Sequence, residues 1–218
     1  MTIPLPDLVE TLLDGPLSIV TAGDPVLRAP AARYDGQLTE AQLDRLVRAM
    51  RETMHAAPGV GLAAPQVGIP LRLAVLEDPA EVTDEVRAAR GRVPLPFRVL
   101  VNPSYHPLGA AHAAFFEGCL SVPGWQAVVP RHAHVRLRGQ DERGRELDEE
   151  VSGWPARIVQ HETDHLDGTL YIDRAITRSL TSSQTLIDRW SQPTPAAAAE
   201  ALGFDLPELA ARRQGHRA

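Results

Sequence analysis

The stretch QHETDHLDG, Gln160 to Gly168, constrains this chain more than any other. It belongs to a run from about Trp154 to Asp167 that reads as a helix, with Ser152 near its N-cap, Pro155 in its first turn and Gly168 just past its end. On such a helix Ile158, His161, Glu162, His165 and Leu166 fall at i, i+3, i+4, i+7 and i+8, on one face. The face that should be apolar core therefore carries two imidazoles and a carboxylate. Burying a charged Glu between two His residues is costly unless something there uses them. A divalent cation does, because imidazoles at i and i+4 aim their nitrogens at one point. H-E-x-x-H is also a zinc-peptidase pattern, with the Glu as general base. The same pattern arises by chance on solvated helices, but a solvated face would not alternate with Ile158 and Leu166.

Two imidazoles leave a catalytic site one protein ligand short. The extended peptidase pattern needs a His six residues after His165, where this chain has Tyr171; the other common solution is a downstream Glu, and the next is Glu200, 35 residues past His165. Asp173 and Asp188 are weaker candidates. The better one is Cys119, the single cysteine, 42 residues ahead of His161 in FFEGCLSVPG. A thiolate with two imidazoles makes a tetrahedral site with one open corner, and its soft sulfur favours Fe(II), Zn(II), Co(II) or Ni(II) over Mg(II) or Ca(II). A buried small hydrophobe is the equal alternative for a lone Cys. A structural site would need a fourth protein ligand, and none is obvious.

The rest of the chain suggests one α+β domain. Leu43, Leu46, Val47, Met50 and Met54 recur at helical spacing after Thr39, a fitting N-cap, and that helix should end at Pro58–Gly59. Asp7–Asp14 reads as a short helix. Strands are expected at Leu71–Glu77, Phe97–Pro103 and His134–Gly139 and in RELDEEVSG, the last two joined by a turn at Asp141–Gly144, with a charged insertion at Asp78–Pro96. The expected division is an extension over 1–15, a catalytic domain over 16–175 and a loosely attached, partly helical tail over 176–218. The net charge of −6 gives no general attraction for DNA or acidic lipid. No apolar run approaches the roughly 18 residues that cross a bilayer, and the acidic N-terminal stretch resembles neither a signal nor a transit peptide. An unpaired Cys suits a reducing cytosol.

PGVGLAAPQVG, Pro58–Gly68, contains G-x-G-x-x-A, but a dinucleotide site needs a strand before the glycines and a helix after, and here that order is reversed. The turn instead allows close backbone approach to a ligand, with Gln66 as its one polar side chain.

Taken together, GVGLAAPQ, EGCLS and QHETDH resemble, in order and at every defining position, the three motifs of the peptide deformylases. The likeness covers about Pro16 to Asp173 and includes GDPVLR; SGWPARIVQHETDHLDGTLYIDR is most similar to the branch that includes organellar enzymes. It implies an α+β fold, with mixed or antiparallel sheets packed around a central helix bearing the H-E-x-x-H motif. It implies a metal-dependent hydrolase of the bacterial cytoplasm that removes the formyl group from N-formylmethionyl nascent peptides and releases formate. Carried over by motif, Cys119, His161 and His165 are ligands to one cation, Fe(II) in the cell with Zn(II), Ni(II) or Co(II) as replacements. Glu162 is the acid/base, Gln66 and the Leu120 N–H bind the formyl oxygen, and Gly61 meets the peptide backbone. Val60, Leu62 and Trp125 are candidates for the methionine pocket from their nearness to the motifs. Arg131 is a candidate brace for Glu117, and equally reads as a surface Arg. The basic ARRQGHR stretch is a candidate contact for the ribosome, and otherwise a frayed terminus.

Overall fold

The computed structural model describes residues 3–207. A short helix α1 (Leu5–Leu13) leads to α2 (Glu40–Ala56), which begins at Thr39 in a full capping box: the Thr39 hydroxyl accepts from the Gln42 N–H, and the Gln42 side chain accepts from the Thr39 N–H. Strands β1 (Gly61–Ala63), β2 (Leu73–Asp78) and β3 (Leu95–Pro107) follow, with α3 (Asp84–Arg90) in the charged insertion. Next come β4 (His112–Cys119), β5 (Val122–His132), β6 (His134–Gln140) and β7 (Glu146–Ser152). The chain closes with α4 (Gly153–Leu166), β8 (Thr181–Ser182), α5 (Ser183–Arg189) and α6 (Ala196–Leu202).

The strands form two antiparallel sheets, β1-β2-β3-β6-β7 and β4-β5-β8. The larger is covered on both faces, which is why β2 reads as a continuous apolar run. Leu73 and Val75 pack with Met50 and Met54 of α2, while Ala74 and Leu76 pack with Ile158, Val159 and Leu166 of α4. The opposite side of α4 faces the smaller sheet through polar groups. Gln160 accepts from the His132 N–H and donates to the His132 carbonyl, and Arg157 donates to Val129 O. Helix α4 therefore lies between the sheets, its apolar residues toward one and its polar residues toward the other. Gly168, just past its end, has φ +74°, and a Cβ there would stand 2.6 Å from Arg28 O, so the turn that stops the helix requires glycine.

Two parts of the chain differ from expectation. The β4–β5 hairpin was not legible as strands: Pro123, Gly124 and Pro130 interrupt β5, and β4 lacks in/out alternation. Among the described residues, the segment after Asp173 is not loosely attached. Thr181–Ser182 pairs with β5, and Ala198 and Phe204 are buried against Phe116 and Val128. These apolar residues are too widely spaced to show a period. The ARRQGHR stretch lies outside the described residues.

Candidate metal centre

Hairpin and helix meet at the site. Cys119 ends β4, Leu120 and Ser121 form the turn, and α4 supplies His161, Glu162 and His165. The ligand atoms of Cys119, His161 and His165 all lie within 4.8 Å of one another, with Cys119 Sγ 3.2 Å from His165 Nε2. Tetrahedral donors about 2.0–2.3 Å from a cation stand about 3.3–3.8 Å apart, so the trio fits one ion. Asp173 and Asp188 are elsewhere, Asp173 pairing with Arg28. No other group of three such donors converges in this way among the described residues.

The surrounding groups prepare this trio. His161 Nδ1 is 3.0 Å from Glu117 Oε2, which turns the other ring nitrogen toward the site and fixes its tautomer. Burial opposes protonation of His161, but Cys119 and Glu117 carry its pKa well above the usual imidazole range; a cation would satisfy the same field. Burial, with His161 beside it, pushes His165 well below that range and leaves it in the neutral form that binds metals. Burial pushes Glu162 up to about 7. Its Oε2 is buried and, among the described residues, has no hydrogen-bond partner. An orphaned carboxylate beside three convergent donors is what a missing cation and its water would complete.

Gly61 is where β1 touches this carboxylate: a Cβ there would stand 2.3 Å from Glu162 Oε1, so only glycine admits both. Gln66 is held rigidly. Its Oε1 accepts from the Ala63 N–H at 2.9 Å, which points Nε2 at Ser121 Oγ (3.2 Å) and Cys119 Sγ (3.5 Å). Val60, Gly61, Gln66, Leu120 and Trp125 line a cleft of about 770 Å³ with the Cys119 and α4 residues, Trp125 standing 49% exposed at its rim. Leu62 does not belong there. It is fully buried among Met54, Val75 and Val99, because strand alternation sends it to the opposite face from Gly61.

Beneath the site lies an ion network that the sequence showed only in part. Arg131 donates to both oxygens of Glu117 at 2.9 Å and to Asp164 at 2.6 Å, so it braces the Cys119 strand as one reading expected. Arg157 also donates to Glu117, and Arg174 and Tyr105 to Asp164. Burial opposes ionisation of Glu117, yet Arg131 and Arg157 hold its carboxyl well below the usual range. Arg157 and Asp164 escaped the sequence reading. The signal was there: 157, 161 and 164 fall at i, i+4 and i+7, a polar stripe beside the metal face.

With this geometry in place, the comparisons decide the family. Residues 16–180 match the family described as polypeptide deformylase. The chain belongs to that family. It is 70% identical over 211 residues to peptide deformylase 1 of Streptomyces coelicolor, covering 96% of this chain and 97% of that one. It is 42% identical to the mitochondrial peptide deformylase of Homo sapiens over 169 residues, 75% of this chain and 70% of the other, which agrees with the organellar likeness of its α4 segment. The solved class I type b peptide deformylase from Acinetobacter baumannii, bound to Met-Ala-Ser, superposes with a TM-score of 0.65 at 33% identity, covering 72% of this chain and 97% of that one. The deformylase is thus an enzyme of a metal-dependent family that removes N-terminal formyl groups from nascent peptides. No helix among its described residues is long and apolar enough to cross a membrane.

Proposed function

We propose that Cys119, His161 and His165 hold one divalent cation with its fourth corner open, and that Glu162, Gln66 and the Leu120 N–H perform deformylation around it. The observation that carries this is the convergence of one sulfur and two imidazole nitrogens beside the unpartnered Glu162 carboxylate. The donor set supports Fe(II), Zn(II), Co(II) or Ni(II), and the family likeness favours Fe(II) in the cell. Bound there, such a cation would supply Lewis acidity to the formyl carbonyl and lower the pKa of its water toward about 7.

The chain's own groups do the rest. Glu162 accepts the proton of the attacking water and returns it to the departing amine, a base turned acid. As the formyl carbon becomes tetrahedral its oxygen gains charge, which the fixed Gln66 amide and the Leu120 N–H stabilise; losing one such donor typically costs about 10²–10³-fold in rate. The methionyl peptide adds as an extended strand along β1, an edge strand whose Gly61 permits close approach. Val60 and Trp125 line the pocket for the methionine side chain. Met-Ala-Ser in the Acinetobacter baumannii structure supports this class of ligand. The nascent-chain substrate class supports action near the ribosome, and a single unpaired cysteine suits the bacterial cytoplasm.

Protein purified without oxygen, assayed for formate release from formyl-Met-Ala-Ser with parallel metal analysis, tests the reading. It predicts about one metal per chain and loss of turnover on chelation. Full activity in metal-free protein would refute it.

A further inference from the structure

A second groove begins where the catalytic cleft ends. The lining of the cleft includes Glu162, Gly61 at the start of β1, Gly59 and Ala57 before it, and Ile19. Ala57 and Ile19 also head a separate groove of about 770 Å³ between α2 and the residues after α1. One wall is a single face of α2, where Arg45, Ala49, Glu52 and Ala56 stand three or four residues apart; the other is built from Leu13, Pro16 and Leu17. Leu13, Leu17, Ile19 and Ala49 give it apolar lining beside the charged Arg45, Arg48 and Glu52, with Arg45 tied to Glu10 at 2.7 Å.

Laid antiparallel to β1, a peptide whose formyl end meets Glu162 and Gln66 would pass Val60 and Pro58 with its next residues and reach Ala57. From Ala57 to Arg45 is about 18 Å of helix, room for about five extended residues. We propose that this groove binds the substrate's own continuing chain, from about its fourth residue on, and prefers an apolar side chain there. The proposal rests on the peptide path stated above and gives α1 and its following loop a part in substrate selection.

The test compares kcat/KM for formyl-Met-Ala-Ser, for formyl-Met-Ala-Ser-Gly-Leu-Gly-Leu, and for the same heptapeptide with serine at both leucines. Burial of one leucine side chain predicts a KM about tenfold lower for the leucine peptide, at similar kcat, with the serine peptide close to the tripeptide. Ala49→Arg, which keeps a good helix former at a half-buried position and fills the groove, removes the leucine advantage and leaves tripeptide turnover intact. Equal kcat/KM for all three peptides in the unaltered enzyme overturns the groove, as does a leucine advantage that survives Ala49→Arg. A tripeptide that is not deformylated overturns the catalytic reading instead. Should that variant fail to fold, Glu52→Trp, which fills the same groove from an exposed position, takes its place with the same two outcomes.

Discussion

Helices α2 and α4 cover opposite faces of one sheet, yet they are held by different physics. Helix α2 buries Leu43, Leu46, Val47, Met50 and Met54 and leaves its polar residues outside, a plain amphipathic pattern. Helix α4 buries Arg157, Gln160, Glu162, Asp164 and His165 along with Ile158, Val159 and Leu166. It has no outside, because a second sheet closes over its polar side. Arg157, Gln160 and Asp164 persist in the interior because each meets a partner, whereas Glu162 Oε2 and His165 Nδ1 have none among the described residues, and the proposed reaction gives the Glu162 oxygen a use. Function sits where burial and polarity conflict.

Breaking the proposed acid/base of α4 is expected to give the largest effect. Glu162→Ala is expected to cut kcat/KM for formyl-Met-Ala-Ser by about 10²–10⁴-fold while metal content, read by elemental analysis, stays at one per chain; unchanged turnover removes Glu162 as acid/base. Next comes the network behind it. Arg131→Ala leaves Glu117 and Asp164 short of a buried cation, and denaturant melts should show a loss of about 3–5 kcal/mol; a loss under 1 kcal/mol would mean the network is ornamental. On the α2 side, Met50→Ala should cost about 2–5 kcal/mol through the cavity it leaves, with kcat of the folded fraction unchanged. A kcat that falls with it would erase the contrast between the helices. Smallest is Thr39→Ala, which removes the cap of α2 for about 1 kcal/mol; thermal melts that do not move would show the capping box to be idle.

That contrast also explains what could be read in advance. Helix α2 was legible from residue spacing and Thr39, and α4 from the oddity of His161, Glu162 and His165 on an apolar face. Strands β2, β3, β6 and β7 followed from their apolar runs or alternation. The β4–β5 hairpin was not legible, since prolines and small residues hide its period, and so the place of Cys119 came from motif likeness and not from local pattern. Leu62 was misplaced for a related reason: nearness in sequence to Gly61 says nothing about which face of a strand a side chain takes. The ion network was half legible, because Arg157 and Asp164 have meaning only once the second sheet is set against them. Ala198 and Phe204 were missed because their packing partners, Phe116 and Val128, are distant in the chain.

X-ray absorption at the metal edge of the Fe(II)- or Zn(II)-loaded enzyme asks the central question most directly. One sulfur near 2.3 Å, two nitrogens near 2.0–2.1 Å and one light non-protein ligand are predicted, with the sulfur signal gone in Cys119→Ser. A first shell without sulfur, or one closed by four protein ligands, would contradict the account.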